Sequence, residues 1–451
     1  MHIILLSGGS GKRLWPLSNG IRSKQFLQLL QSPAGEKESM VQRVVRQIYE
    51  TVPSPSVTIA TGEAQLDIIE TQLGTKVDVV AEPERRDTFP AIALSAAYIA
   101  MEKGVATDEV VVIMPCDTYT EKCYFETICK MASCVEQRVA DLVLMGITPT
   151  YPSTKYGYVV PVPGESGGEY RIVQRFTEKP DEENAKALLE QGAFWNGGVF
   201  AFRLGYIMDM VKGYIKADDF AGLCSQYSGF PKISFDYEVA EKAASVAVVP
   251  YGGKWKDLGT WNTLAEELPV PVMGNVVIDD CSRNTTVINE LGLPIVCVGV
   301  ENAVVAAGYD GIIICGKEAS ETIKPYVDKV DSRPMYEERR WGEYRVLDDT
   351  IFADGSHSLT KSMTLKPGKS ISYQKHYHRS EVWTFVSGEG YFVLNGELRR
   401  VKAGDTVIIP VGHLHTLMAI SELTFIEVQM GNPLIEEDIE RFAWDWNNIS
   451  I

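Results

Sequence analysis

The sequence predicts an α/β domain built on a mainly parallel sheet, followed by a short β-rich spacer and an all-β domain. Three observations carry that expectation. Over the first ~265 residues, short apolar runs alternate with helical patterns, the arrangement of a parallel sheet covered on both faces. From residue ~266 the helical patterns give way to brief apolar runs broken by Asn, Gly and Asp. Beyond Arg339, short strands recur with turns at "KPGKS", "SGEG", "LNGE" and "KAGD", the pattern of a sandwich or barrel. The expected division is therefore 1–265, 266–335 and 336–451, the middle part compatible with a short β-helix.

Taken in order, "HIILLS", "SVTIATG", "VDVVAEP", "EVVVIMP" and "DLVLMGI" read as strands. Between them "SMVQRVVRQIYET", "EAQLDIIETQL" and "PAIALSAAYIAMEKG" read as helices. Ligands of such sheets sit beyond the carboxyl ends of the strands, which singles out Gly8 to Arg13, Glu82-Pro83 and Pro115-Cys116-Asp117. "EASETIKPYVDKV" closes the spacer as a helical pattern, and the acidic, aromatic end "EEDIERFAWDW" reads as a short helix packing back.

Composition narrows the function classes. The 451 residues are 45% hydrophobic and 23% charged, with a net charge of −17. That balance opposes nucleic acid as a general partner, because a phosphate backbone calls for a broad basic field. No apolar run reaches the ~18 residues of a membrane span, and Met1 leads directly into a strand-like run with no signal-peptide layout. The eight cysteines form no CxxC pair, so buried free thiols and a cytoplasmic location are expected. Five of the six histidines follow residue 356, which points to a separate chemistry in the last quarter.

At the first strand end, Gly8-Gly9-Ser10-Gly11-Lys12-Arg13 offers backbone N–H groups at a turn only glycine enters easily. Lys12 and Arg13 add positive charge suited to phosphate. The loop is not a P-loop, since Arg13 follows Lys12 and Leu6 occupies the first Gly position. Nor is it a dinucleotide fingerprint, since Leu14 stands where the third glycine belongs.

"GGSGKRLWPLS" with "SKQFL" resembles the signature of the sugar-1-phosphate nucleotidyltransferases, specifically the mannose-1-phosphate guanylyltransferases. The resemblance continues in order through "EPERRDTFPAIALSA", "MPCDTY", "YGYVVP", "FTEKPD", "WNGGVF" and "WKDLGTW". It implies a GT-A/Rossmann-like domain that transfers a nucleotidyl group from GTP to mannose 1-phosphate, giving GDP-mannose and pyrophosphate. By this carry-over Asp117 and Asp257 hold Mg²⁺, Arg13 stabilises the departing pyrophosphate and Lys24 contacts the phosphates. The nucleotide is held by Gly8, Gly9, Ser10, Gly11, Lys12, Arg13, Glu82, Arg85 and Pro90. The sugar phosphate falls to Gly157, Glu178, Lys179, Asn196 and Gly197. An aspartate after a strand ordinarily caps a helix, so it is the pair at both family positions that reads as a metal site. Lys12, Asp87, Thr118, Lys155 and Gly197 depart from the family's usual residues, which leaves another base or another hexose 1-phosphate open.

In the last part, His376-x-His378-x2-Glu381 and His415 form an N3O set suited to a divalent transition metal such as Zn, Mn, Fe, Co or Ni. On a strand, His376 and His378 would face one side. These segments resemble the two cupin motifs, with one residue fewer than usual before Glu381. "SYQKHYHRSEVWTFVSG", "IIPVGHLHTL" and "IEVQMG" are similar to the phosphomannose isomerase half of bifunctional enzymes that carry both activities. That resemblance implies interconversion of mannose 6-phosphate and fructose 6-phosphate, and a homodimer is expected. Thr416 stands where that family carries Arg, and Val382 where it carries His, so a structural or oligomerising cupin is the alternative. A sugar-nucleotide sensor is a further one.

Overall fold

The computed structural model of the chain describes residues 1–9, 11–164, 168–330 and 332–449. Nine strands make one sheet in the order Asp78–Glu82, Ser56–Gly62, His2–Leu6, Val110–Pro115, Phe194–Arg203, Leu142–Ile147, Val246–Tyr251, Arg171–Thr177, Tyr158–Pro161. His2–Leu6 runs parallel to both of its neighbours. Its Ile3, Ile4 and Leu5 are fully buried, because helices cover both faces and leave no polar side to the strand. The helix Met40–Thr51 shows how they do so. Ser39 accepts from the Gln42 N–H in a capping box, and Met40, Val41, Val44, Val45 and Ile48 face the core. Phe194–Arg203 runs antiparallel to Val110–Pro115 and Leu142–Ile147, and its register slips between Asn196 and Phe200.

The spacer coils in parallel rungs. Val272–Met273, Thr286–Asn289 and Ala303–Gly308 stack in parallel, as do Val276–Ile278 and Ile295–Cys297. The antiparallel strand Gly311–Gly316 ends the stack, and a short helix, Lys324–Val327, comes after it. The last part packs a six-stranded sheet on a five-stranded one around Trp383, Phe385, Phe392 and Phe425.

Two expectations are corrected. The terminal segment is not a helix: Glu440–Ala443 is a strand paired with Tyr373–Lys375. The edge of the five-stranded sheet presents unpaired N–H and C=O groups, which a strand satisfies and a helix cannot. The cysteines are all free, but Cys123 and Cys281 are exposed rather than buried. Among the described residues no helix is long and apolar enough to cross a membrane.

One side chain ties the three parts together. Arg22, eleven residues past Gly11, makes two hydrogen bonds to Glu290 at 2.8 and 3.0 Å. Its Nε lies 3.8 Å from Glu338, and its guanidinium sits 5.4 Å from the Tyr336 ring centre. Only 12% of Arg22 and 24% of Glu290 is exposed. A guanidinium buried this far is costly unless its carboxylate is present. Arg22→Ala should therefore lower unfolding free energy by about 3 kcal/mol in urea titration, and Glu290→Ala by a similar amount. The double variant should lose much less than the sum, and strict additivity would sink the claim that the pair acts as a unit.

Candidate functional site

The strand ends converge as the topology requires. A cavity of about 450 Å³ opens beyond them, lined by Ser7, Gly8 and Gly9 after the first strand, Glu82 and Arg85 after another, and Asp117 after a third. A second cavity of about 240 Å³ adjoins it, bounded by Gly11, Lys12, Arg13, Lys24 and Asp257. Ser10 lies outside the described residues.

The loop has its shape for local reasons. Gly11 has φ +66°, and a Cβ there would fall 1.9 Å from the Asn19 carbonyl oxygen. Asn19 Oδ1 accepts from the N–H groups of Ile21 and Arg22, and the Ser18 hydroxyl donates to the Gly11 carbonyl. The next turn is pinned too, with Gln65 Nε2 donating to Ser23 Oγ at 2.7 Å and Gln25 Nε2 to Ser7 Oγ at 3.0 Å.

That turn delivers Lys24 to the two carboxylates. Its ammonium stands 2.8 Å from Asp117 Oδ2 and 2.7 Å from Asp257 Oδ1. The aspartates meet because Trp255–Asp257 pairs antiparallel with Thr118–Thr120, setting Asp257 opposite Thr118. Asp117 is thus succeeded by a strand rather than a helix, and the cap before the helix Trp261–Ala265 is Thr260. Burial alone would depress the Lys24 ammonium, but the charges and hydrogen bonds of Asp117 and Asp257 outweigh it and raise its pKa. Two carboxylate oxygens converging on one cation are a donor set that fits a hard divalent ion.

Lys12 borders the second cavity, and its ammonium has a partner. It bends to Asp328 at 3.1 Å, just past the spacer helix, and Asp328 also holds Lys324. Arg13 is exposed and, among the described residues, in no ion pair. Pro90 is buried within the helix Thr88–Ala97 and is not among the cavity residues. Its ring packs in the core, whereas Arg86, Asp87 and Thr88 just before it line the cavity.

A second constellation gathers around Glu178. Its Oε1 receives Lys179 Nζ at 2.6 Å, while its buried Oε2 has no hydrogen-bond partner among the described residues. A Cβ at Gly157 would lie 2.4 Å from that oxygen, so the close approach requires glycine. Asn196 Nδ2 donates to Asp236 Oδ1 at 2.6 Å. Burial, then the charge of Glu178, pushes the Asp236 carboxyl up to about 6. Gly197 instead packs against Ile147, 3.1 Å from where its Cβ would stand. Asp236 is invisible to motif spacing, because nothing in the sequence links it to Asn196. Trp195 and Trp255 open two of the motif segments without an assigned role: with Tyr156 they form an aromatic group beside Asn196 and Asp257, centres 5.0 to 6.5 Å apart.

In the cupin-like part, His376, Glu381 and His415 bring ligand atoms within 4.8 Å of one another, all three buried. His376 Nδ1 lies 2.6 Å from the Asp438 carbonyl and His415 Nδ1 3.0 Å from the His413 carbonyl. A carbonyl only accepts, so each Nδ1 carries the proton and each Nε2 lone pair points inward. Both lone pairs then face the Glu381 carboxylate, at 3.3 and 3.5 Å. His415 Nε2 is buried without a hydrogen-bond partner among the described residues. Burial foremost lowers His376 to about 3 and His415 to about 4, so the imidazoles remain neutral. Two lone pairs and a carboxylate on one dry point fit a divalent transition metal.

His378 is outside this group, which corrects the expected four-ligand set. The strand ends at Lys375 and the chain bends, leaving His378 exposed. Alternation therefore runs one step earlier, through Gln374 and His376. Gln374 Nε2 lies 3.3 Å from His376 Nε2. Counted from Gln374, the segment reads Gln374-x-His376-x4-Glu381, and the apparent missing residue before Glu381 is restored.

Residues 2–269 match the family described as Nucleotidyl transferase, and residues 331–444 that described as Mannose-6-phosphate isomerase C-terminal. The first match covers more than half of the chain, and the chain belongs to the nucleotidyl transferase family. Over 98% of its length it is 30% identical to mannose-1-phosphate guanylyltransferase ManC of Salmonella typhimurium, covering 97% of that protein. It is 32% identical, over 97% of both chains, to the xanthan biosynthesis protein XanB of Xanthomonas campestris. The crystal structure of mannose-1-phosphate geranyltransferase from Thermus thermophilus superposes with a TM-score of 0.58 at 27% identity, covering 73% of this chain and 99% of that one.

The geometry sets a test of the ligand set. Protein purified with divalent transition metals present should hold about one ion per chain by elemental analysis. His415→Ala should lose it and His378→Ala should keep it. Loss from a folded His378→Ala variant would place the metal elsewhere.

Proposed function

We propose that the chain transfers a guanylyl group from GTP to mannose 1-phosphate, releasing pyrophosphate and forming GDP-mannose. The observation that carries this reading is Lys24 held between Asp117 and Asp257 at the mouth of the glycine-loop cavity. The relatives of nearly equal length bearing the guanylyltransferase name support the choice of base and sugar.

The reaction unites two anions. A phosphate oxygen of mannose 1-phosphate attacks the α-phosphorus, the bond to the β-phosphate oxygen breaks in line, and pyrophosphate leaves with the electron pair. A Mg²⁺ ion held by Asp117 and Asp257 would neutralise phosphate oxygens and the charge growing on pyrophosphate. Lys24 supplies a fixed positive charge beside both carboxylates, offsetting the repulsion between the two substrates. The Gly8, Gly9 and Gly11 backbone lets phosphates approach closely, and Arg13, exposed and uncommitted, meets the leaving group. Glu178, with its unpartnered oxygen, and Asn196, fixed by Asp236, hold sugar hydroxyls and set the attacking phosphate.

For the cupin-like part we infer interconversion of mannose 6-phosphate and fructose 6-phosphate, supported by His376, Glu381 and His415 facing one dry point. A divalent cation there would polarise the sugar carbonyl and ease proton transfer between C1 and C2.

Pyrophosphate release, screened over four nucleoside triphosphates and several hexose 1-phosphates, should peak with GTP and mannose 1-phosphate. No release from any pair would reject nucleotidyl transfer, and a different best pair would reject the substrate assignment. Asp257→Asn should lower kcat/KM about a thousandfold, ~4 kcal/mol of transition-state stabilisation, with an unchanged circular dichroism spectrum. Asp236→Asn should raise KM for the sugar phosphate about tenfold and leave that for the nucleotide unaltered; equal change in both would remove Asp236 from the sugar pocket.

A further inference from the structure

Beside the His376–Glu381–His415 group lies a cleft of about 110 Å³ whose walls carry five basic side chains and three carboxylates. Gln374, Arg379 and Glu427 line it next to the metal-ligand group, and Arg339, Arg340 and Arg441 line it as well. The charges in this cleft divide into two classes. Arg379 is committed to Glu381 at 2.9 Å, Lys361 to Glu436 at 2.7 Å, and Arg339 to Glu337. Among the described residues no carboxylate comes within ion-pair distance of Arg340 or Arg441, although Asp67 and Glu436 act on Arg441 from farther away.

These two free guanidinium groups are held together by one aromatic side chain. Arg340 lies 4.8 Å and Arg441 5.0 Å from the centre of the Trp444 ring, and Arg340 Nη2 donates to the Trp444 carbonyl at 2.9 Å. Arg441 is paired with Gln374 across the two strands, and Gln374 in turn reaches His376. Residues opposed in this way share a face, so Arg441 stands on the side of the sheet that carries the metal-ligand group. Burial, and then the charges of Arg339 and Arg340, pull the Arg441 guanidinium below its ordinary pKa. Like charges gathered without a contact ion pair gain from an anion placed between them.

The family resemblance leads one to expect a basic group directly after His415, where this chain has Thr416. That side chain is fully buried, donates to the Ile371 carbonyl at 2.8 Å and is not among the residues that line the cleft. The positive charge for a phosphorylated ligand must come from another element, and among the described residues only Arg340 and Arg441 line the cleft outside an ion pair.

The geometry points to Arg340 and Arg441, spaced by Trp444, as the phosphomonoester-binding end of the cupin-like cleft, taking the 6-phosphate of a hexose whose carbonyl end faces the metal-ligand group. Two planar guanidinium forks suit the oxygens of a terminal phosphate. The assignment rests on the isomerase reading above.

The test uses the full-length, metal-loaded chain. Calorimetric titration with mannose 6-phosphate and fructose 6-phosphate should show binding that weakens about a hundredfold in the Arg340→Gln/Arg441→Gln double variant. That is the loss of two charge-assisted contacts. Isomerisation KM should rise in parallel, with metal content and pyrophosphate release from GTP and mannose 1-phosphate unchanged. The Arg340→Lys/Arg441→Lys variant should recover part of the affinity. Unaltered hexose 6-phosphate affinity in a wild-type-like, isomerising double variant overturns the arginine site alone. Wild-type protein that neither binds nor isomerises hexose 6-phosphates overturns the isomerase reading with it. Inorganic phosphate binding as tightly as the hexose phosphates overturns the sugar half of the assignment.

Discussion

The placement of Arg22 constrains the whole chain. It lies two residues before Lys24, its charge is shielded from water, and its partners come from the spacer and from the start of the last part. Neighbouring contacts take the same path. Asn19 donates to Asp310 at 2.8 Å, Asp310 accepts from the Met335 N–H, and Tyr309 stacks on Tyr336. Trp261 donates to the Trp15 carbonyl, and a Cβ at Gly311 would strike the Trp15 ring. The glycine loop carries little apolar surface of its own. Its locally set conformation is braced from behind, by groups whose desolvation is offset when all three parts are assembled.

The two sites solve opposite electrostatic problems. At the strand ends the carboxylates are partly exposed and paired with one ammonium, an arrangement that tolerates exchange of one cation for another. Water screens the site, so charge can be added or removed with each turnover. In the cupin-like part the ligand atoms are dry and their protons are fixed by backbone carbonyls. The neutral imidazoles present their lone pairs beside a buried carboxylate already paired with Arg379, and a metal ion bound in so dry a site would stay resident.

Local features made much of this legible. The apolar runs of the first part are strands because burial on both faces leaves no alternation to misread, and the residues at their ends reached the cavity as topology demands. Asp117, Asp257 and Lys24 stood in motifs and met in space. Features that depend on tertiary pairing were not legible. His378 shares the spacing of a strand ligand, yet the strand stops before it because the Asp438 carboxylate accepts from the N–H groups of Tyr377 and His378 and bends the chain. Asp236 lies forty residues from the Asn196 it fixes. The terminal strand reads as helical by composition and becomes β only because an edge lies beside it.

Joining these two sites in one chain calls for a physical reason other than direct transfer. On the proposed reactions, the cupin-like part yields a sugar phosphorylated at C6, while the transferase needs the phosphate at C1. Neither site holds chemistry that moves a phosphoryl group between those carbons, so a separate phosphate-shifting reaction must stand between them and the intermediate must leave the protein. A tunnel would then serve nothing. The contacts that join the parts are accordingly mechanical: Arg22 to Glu290 and Glu338, Arg339 beside Asp67, and the Arg339 carbonyl accepting from Thr71. They brace the phosphate loop and the rim of the cupin-like cleft against the same helix and spacer. Each site gains rigidity from the other's scaffold while their chemistries remain independent.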